Sequence, residues 1–418
     1  MSIGYACLAV GVSHTKISTT IQKNATEDRL KELIAYNLHS LENMIDFNIE
    51  NDIYLYRISS GLIPFGSSPV NQLDWSSLFK KDFERIGQKI RTHKMRVSFH
   101  PGQYTVLNSP TAYVVKRAIK DLDYHVKVLE ALGMDSSHKI ILHVGGVYGD
   151  KELAIQRFID TYETLEQRIK DHLIIENDDR LYTIEDVLKI ADHCSIPVVY
   201  DNLHHAINSS SQEGTDAYWI QQVARTWKEK DGRQKIHYSQ QASEKRTGAH
   251  TATIHLAPFL EFYQQVSGSE IDIMLEVKDK NLSAVKCILA TEENSSIRKL
   301  EQEWARYKYA VLEKSPVLYQ KVRELLKDKN PKIALPFYQM IEEIYYLPEN
   351  IGYSENAALH VWGYFKDIAT ENEGQVFHKK LEKFREGTLS LAAMKRYLWK
   401  LAEKYQVSYI LRSLYFSF

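Results

Sequence analysis

The sequence predicts an α/β fold, a closed barrel of eight parallel strands with a helix after each strand, followed by an all-α domain. Short apolar, β-branched runs alternate with longer amphipathic stretches over about the first 290 residues, which is the pattern of repeated strand–helix units. The runs number eight, as a closed (β/α)8 barrel requires. Around Glu292–Ser296 the alternation stops, and the chain beyond is helical, rich in Tyr, Trp, Lys and Leu and punctuated by Pro316, Pro331, Pro336 and Pro348.

In chain order, the first strand is read at Ile3–Val10 and a helix at Glu27–Phe47. A strand at Ile53–Ser59 precedes a helix at Trp75–His93, and Arg96–His100 precedes Ala112–Leu132. Lys139–Val144 leads to Lys151–Lys170, and Leu173–Asn177 leads to Ile184–His193. The last three strands are Pro197–Asp201, Lys235–Ser239 and Ile271–Val277. Strands buried on both faces read as unbroken apolar runs, as Ile140-Ile141-Leu142 and Val198-Val199-Tyr200 do. An open doubly wound sheet is the alternative, but no Gly-rich turn follows the first strand as a dinucleotide site would need. A linker is expected near residues 290–297, dividing a barrel at 1–293 from a helical domain at 298–418.

The 418 residues suit one large and one smaller domain, and 44% hydrophobic with 26% charged residues is ordinary for a chain with a full core. No run of about 18 apolar residues offers a membrane span. Met1 to Val10 is apolar but lacks a basic flank and a cleavage site, so it reads as a strand and not as a signal peptide. Cys7, Cys194 and Cys287 are far apart and odd in number, which argues against a disulfide framework or thiolate zinc site and for a reducing cytoplasm. The net charge of -1 conceals a split: residues 295–418 hold 20 Lys and Arg against 15 Asp and Glu, and residues 1–294 hold 33 against 39. Divalent ions on some of those carboxylates would make the first region less negative, so a DNA-binding face is compatible with the balance.

Chemistry in a parallel barrel sits at the C-terminal ends of its strands. Reading those ends in turn gives His100, His143, Glu176, Asp201 with His204, His237 and Glu276, with His250 on the loop after the seventh strand. A single histidine after an apolar strand is most often a hydrogen-bonded core or loop residue. A lone Glu within Ile-Ile-Glu-Asn is stranger, because an unpaired buried carboxylate is costly. Six consecutive strand ends are poorly explained by coincidence. Three carboxylates and five imidazoles can hold two or three divalent ions, with Glu176, Asp201 or Glu276 able to bridge; the donors suit Mn²⁺ or Zn²⁺, with Mg²⁺ a further alternative. Such a cluster points to phosphoester hydrolysis or to sugar isomerisation.

Seven stretches carry a more specific signal. They are Leu62-Ile63-Pro64-Phe65, Ser98-Phe99-His100-Pro101-Gly102-Gln103-Tyr104, His143-Val144-Gly145-Gly146, Glu176-Asn177-Asp178-Asp179, Asp201-Asn202-Leu203-His204-His205, Lys235-Ile236-His237 and Met274-Leu275-Glu276-Val277-Lys278. Together, and in this order, they resemble the UV-damage endonucleases. That resemblance implies a TIM barrel of the endonuclease IV/xylose isomerase type and a Mn²⁺-dependent enzyme that nicks double-stranded DNA on the 5′ side of UV photoproducts, and often of abasic sites, with metal-activated water. It implies metal-ligand roles for His100, His143, Glu176, Asp201, His204, His237, His250 and Glu276. Lys235 matches a lysine that the family can carry in carboxylated form, which gives Glu176, Lys235 and Glu276 the catalytic positions. Gln103 and Tyr104, with Tyr5 at the end of the first strand, match residues that probe the distorted duplex; an aromatic and an amide can fill the gap left by extruded nucleotides.

One position departs from the family, which usually carries a histidine where this chain has Ser68, within Phe65-Gly66-Ser67-Ser68-Pro69. A hydroxyl replaces imidazole poorly, so one ion is expected to be held less tightly or to be completed by water. Lys16 and Lys23 after the first strand, and Lys245 and Arg246 between His237 and His250, are candidate phosphate contacts. In the second region Tyr307-Lys308-Tyr309, Ser315-Pro316 and His360-Val361-Trp362-Gly363-Tyr364-Phe365-Lys366 resemble a helical domain of unassigned function appended to other proteins. Lys379, Lys380, Lys383, Arg385, Lys395, Arg396, Lys400 and Lys404 give its end a basic character, either a solvated helix surface or a DNA-holding one. Three alternatives stay open at this point: an abasic-site endonuclease of the endonuclease IV type, a metal-dependent sugar isomerase, and a non-catalytic DNA-binding protein.

Overall fold

A computed structural model describes residues 1–293, 296–328 and 330–418. Eight parallel strands close into a barrel in sequence order: β1 Ile3–Ala6, β2 Leu55–Arg57, β3 Arg96–Phe99, β4 Lys139–His143, β5 Leu173–Glu176, β6 Val198–Asp201, β7 Gln234–Tyr238 and β8 Ile271–Leu275. Each falls inside its predicted run, except that β7 begins one residue earlier, and several are shorter than predicted. β1 stops at Ala6 because Cys7 takes φ 72°, a left-handed conformation that leaves the strand.

The helices of this region are α1 Glu27–Glu50, α2 Trp75–Leu78, α3 Lys80–Thr92, α4 Ala112–Ala131, α5 Lys151–Thr164, α6 Gln167–His172, α7 Ile184–Cys194, α8 Asn202–Ile207, α9 Asp216–Ala224, α10 Leu256–Val266 and α11 Asn281–Thr291. α1 starts where the Thr26 side chain accepts a hydrogen bond from the Arg29 amide, with Glu27 and Asp28 favourably placed in the first turn. Its buried side, Leu30, Leu33, Ile34, Leu38, Leu41, Met44 and Ile45, repeats at the three- and four-residue spacing of a helix lying on a sheet. Two predicted helices are each divided. Trp75–His93 breaks at Phe79, and Lys151–Lys170 breaks where Leu165 turns extended at ψ 147°. Neither break has a Gly or Pro to announce it.

By contact density the chain divides into two units, Met1–Ala9 with His14–Val285, and Val10–Ser13 with Lys286–Phe418. The expected linker at 290–297 includes residues 294 and 295, which lie outside the described residues. The second unit is helical: α12 Ile297–Lys314, α13 Pro316–Leu325, α14 Ala334–Glu343, α15 Ile351–Trp362, α16 Glu371–Arg385, α17 Leu391–Tyr405 and α18 Ser408–Leu411. Its core includes Val361, Phe365, Phe377, Leu381, Met394 and Leu398, and the Trp362 and Phe377 rings stack 4.4 Å apart. No helix among the described residues is long and apolar enough to cross a membrane.

Candidate metal centre

Strand register carries the candidate ligands to one level. β4 pairs with β5 so that His143 lies opposite Glu176, and β6 pairs with β7 so that Asp201 lies opposite His237. His100 directly follows β3, and Glu276 directly follows β8. Side chains two apart share a face of a strand, so Ile141, Ile174 and Val199 lie on the ligand face below His143, Glu176 and Asp201. These three pack as one buried cluster, and Met274, two before Glu276, packs with Ala6 and Leu55. An apolar floor therefore underlies a polar mouth.

Glu176 is the hub of that mouth. It is fully buried, with Oε1 2.9 Å from His237 Nδ1 and Oε2 3.1 Å from His100 Nε2. His204 Nδ1 lies 3.5 Å from Oε1 and His143 Nε2 3.9 Å from Oε2. Two sets of donor atoms, His100–His143–Glu176 and Glu176–Asp201–His237, each gather within 4.8 Å. Asp201 has a divided task. Its Oδ1 caps α8 by accepting from the His204 amide at 2.8 Å, while its Oδ2 is buried without a partner. His204, His250 and Glu276 belong to neither triad, but His204 Nδ1 is within 3.9 Å of Asp201 Oδ1, and His250 Nε2 is 3.9 Å from Glu276 Oε2.

The fit of divalent ions to this cluster is tested by its orphaned atoms. Asp201 Oδ2, His237 Nε2 and His143 Nδ1 are all buried with no hydrogen-bond partner. Each such atom costs about 1–3 kcal/mol when left unmade. A set of imidazole nitrogens and carboxylate oxygens around one hub is a donor set for Mn²⁺ or Zn²⁺. The rings are also braced from behind: His204 Nδ1 lies 2.9 Å from the Asn177 carbonyl and His100 Nδ1 3.2 Å from that of Pro101, an arrangement that fixes ring orientation in ligating histidines.

The charges are strongly perturbed. Burial would raise the Glu176 carboxyl, but the neighbouring His237 and His143 hold it well below the usual range. Burial pushes Asp201 up to about 6 even though His204 opposes it. Burial opposes the charging of His204, but Asp201, Glu176 and Glu276 outweigh it and carry the imidazole up to about 9. Desolvation takes His143 down to about 4 and also lowers His250. Such opposed shifts within one cluster are the mark of a functional site.

The sequence reading missed Arg57. It ends β2, its Nη1 pairs with Glu276 Oε1, and its Nε is buried without a partner. Arg57 holds the Glu276 carboxyl below its ordinary value against the opposing effect of burial. A lone arginine at a strand end has no spacing signature; only its topological level, equal to that of the ligands, could have flagged it. Also missed was Lys278, exposed after β8, whose ammonium is lowered by Lys245 beside it on the β7 loop. Two neighbouring exposed cations suit a phosphate. Lys16, Lys23, Lys245 and Arg246 are exposed on the loops where they were expected.

Gln103 and Tyr104 are exposed after β3, Tyr104 by 82%. Tyr5 requires correction. It is fully buried, its hydroxyl donates to Asn48 Oδ1 of α1 at 2.9 Å, and its ring packs 5.2 Å from Tyr56. With small Gly4 and Ala6 on the opposite face of β1, Tyr5 points outward under α1 and cannot reach a duplex. Lys235 shares the face of His237 and is 1% exposed; burial, then the nearby Arg96, bring its ammonium well below the ordinary lysine value. The Ser68 hydroxyl accepts from the Val70 amide at 3.3 Å, a local turn contact.

Comparison with known proteins gives consistent results. The family described as UV-endonuclease UvdE matches residues 1–308, and a family described as a protein of unknown function (DUF1722) matches residues 308–418. A UV DNA damage endonuclease of Clostridium perfringens (strain 13 / Type A) is 37% identical over 412 residues, which covers 97% of this chain and 96% of the relative. One of Bacillus cereus (strain G9842) is 35% identical over 285 residues, 68% of this chain and 88% of the relative. Among solved structures, the crystal structure of SacUVDE superposes with a TM-score of 0.66 at 36% identity, covering 69% of this chain and 96% of that one.

Proposed function

The chain belongs to the UV-endonuclease UvdE family, and from that premise we propose that it is a DNA-repair endonuclease that hydrolyses the phosphodiester 5′ to UV photoproducts, with abasic sites as further substrates. The observation that carries the reading is buried Glu176, common to two triads of donor residues in which Asp201 Oδ2, His237 Nε2 and His143 Nδ1 are buried without partners. Two or three divalent ions, Mn²⁺ first among them, are held by His100, His143, Glu176, Asp201, His204, His237, His250 and Glu276. When bound, they supply a strong nucleophile near neutral pH and offset charge on the phosphodiester.

The chain's own residues do the rest. Glu176 fixes the His100 and His237 rings, and Arg57 holds Glu276. Gln103 and Tyr104 enter the distorted duplex, where an exposed ring can replace a base stack. Lys245, Arg246 and Lys278, with Lys16 and Lys23, meet phosphates across sequences. Lys235, whose charged form burial disfavours, is an amine that in its neutral form can add carbon dioxide as a carbamate with release of one proton. The barrel at 1–293 is the nuclease, and the region at 298–418 is a separate helical domain.

An incision assay tests the proposal on irradiated, abasic and intact duplexes, with Mn²⁺, Mg²⁺ or chelator, for the wild type and Glu176→Gln. Strand cleavage 5′ to photoproducts that disappears with chelator and with Glu176→Gln is the expected result. Cleavage of abasic duplex alone would replace the reading by an abasic-site endonuclease. Cleavage that survives chelator or the substitution would overturn the metal mechanism.

A further inference from the structure

The loop between β4 and α5 runs from ligand His143 through Gly145, Gly146 and Tyr148 to Asp150, which caps α5. Tyr148 is 48% exposed although its backbone is left-handed, at φ 51°, a region that residues other than Gly and Asn seldom occupy. A tyrosine placed for packing alone would bury its ring on a relaxed backbone; here the ring is half open and the backbone is strained. The strain is imposed by the surroundings. A Cβ at Gly146 would lie 3.0 Å from the Tyr148 ring, so the ring rests across that glycine. The Arg157 guanidinium of α5 lies 5.5 Å from the ring centroid.

The same residues bind this loop to the loop that carries Gln103 and Tyr104. Asn108 Nδ2 donates to the Gly146 carbonyl at 2.7 Å, Tyr182 donates to the same carbonyl at 3.0 Å, and Arg157 Nε donates to the Asn108 carbonyl at 2.9 Å. Gly145, at φ 117°, has no room for a side chain because Asn108 Oδ1 occupies the place of its Cβ. Two exposed tyrosines therefore stand on adjoining, mutually tied loops that follow ligand-bearing strand ends.

We propose that Tyr148 is a second DNA-contacting aromatic, held by Gly146 and Arg157 so that its open ring stacks on a nucleobase of the lesion-bearing duplex beside the Tyr104 contact. This rests on the endonuclease reading above. Every base has a π-face, so such a contact strengthens binding without reading sequence.

The test uses the full chain and a duplex carrying one UV photoproduct with 2-aminopurine beside it. Binding is followed by fluorescence in chelator and incision is followed with Mn²⁺. Tyr148→Asn keeps a residue that tolerates the left-handed backbone but removes the ring. It is expected to raise Kd and KM about tenfold, leave kcat within about twofold, and shrink the 2-aminopurine signal. Tyr148→Phe and Tyr148→Trp keep a ring and are expected to bind like the wild type. If the wild type fails to cut the irradiated duplex, the endonuclease reading falls and this inference with it. If the wild type cuts and Tyr148→Asn binds as tightly, or if Tyr148→Phe is as weak as Tyr148→Asn, the inference alone is overturned.

Discussion

The barrel mouth and the helical unit both bury charge, and they do so in opposite ways. In the helical unit each buried cation faces one carboxylate: Lys395 Nζ on Glu313 Oε1 at 2.8 Å, Arg306 on Glu303 at 2.7 Å, Lys286 on Glu342 at 2.9 Å. Each joins one cation to one carboxylate. In the mouth, Arg57 pairs with Glu276, while Glu176 and Asp201 face a ring of imidazoles that help only when protonated. A one-to-one pair balances its charge within the fold, even where a single atom such as Glu313 Oε2 has no partner of its own. In the mouth the carboxylates outnumber the guanidinium paired with them, and Asp201 Oδ2 is buried without a hydrogen-bond partner among the described residues. The first arrangement holds a structure together, and the second describes a binding site.

Substitution separates the two arrangements most sharply. Glu176→Gln is expected to reduce incision by more than about 100-fold, since residues that merely support metal ligands are worth about 10–100-fold. It is also expected to lower the number of ions retained on dialysis, measured by elemental analysis, and to leave the denaturation midpoint nearly unchanged. Lys395→Met should do the reverse. It strands Glu313 in the interior and costs about 3 kcal/mol in denaturant unfolding, with the double variant Lys395→Met/Glu313→Leu recovering most of the loss. A large stability loss for Glu176→Gln, or a large activity loss for Lys395→Met in folded protein, would erase the contrast.

Acidity offers a second, smaller test of the mouth. His204 titrates at about 9 in the ion-free protein because carboxylates surround it. A raised imidazole pKa contributes stability that is complete below the unfolded value, about 6.5, and lost as pH rises through 9. The ion-free protein should therefore weaken between those limits, while added Mn²⁺ or Zn²⁺ restores it most at the alkaline end. A ligating imidazole must be neutral, so titration with either ion at pH 7 should release about one proton from His204. Calorimetry in buffers of different ionisation enthalpy counts it. No proton released at pH 7 would mean that His204 stays charged and outside the coordination sphere.

How much of this was readable beforehand differs between the regions for the same reason. The candidate ligands were legible as a cluster because a buried carboxylate or histidine closing an apolar run is conspicuous, and because successive strand ends share one level. Arg57 was not, since an arginine after Leu55-Tyr56 looks like any strand end until β2 is registered against β1 and β3. Tyr5 was carried over from the family resemblance alone; alternation along β1, with Gly4 and Ala6 on the opposite face, places its ring under the helices. In the helical unit the eight basic residues near the end read as one surface. Lys395 in fact lies buried on Glu313, Lys404 pairs with Glu373 and Arg385 with Glu355. Pairings between distant helices leave no trace in local sequence, and charge counts alone overstate the free cations.

Charges outside both interiors should matter less. Lys278→Ala is expected to weaken DNA binding severalfold across all sequences and to reduce the salt slope by about one ion. An unchanged slope would remove Lys278 from the interface. Smallest of all is Glu42, which joins α1 to α3 through Arg85 at 2.9 Å and Lys89 at 3.0 Å. Its hydrogen bond to Arg85, outweighing a modest burial penalty, brings the carboxyl down to about 2. A depressed carboxyl contributes stability that is present above the unfolded value, near 4.5, and lost as pH falls toward 2. Arg85 is half exposed, so solvent screens much of the attraction and the contribution stays below about 1 kcal/mol. Glu42→Gln should therefore lower the unfolding midpoint slightly at pH 7 and not at all at pH 2, with incision unaffected. A Glu42→Gln penalty that persists at pH 2 would show that packing, and not charge, joins these two helices.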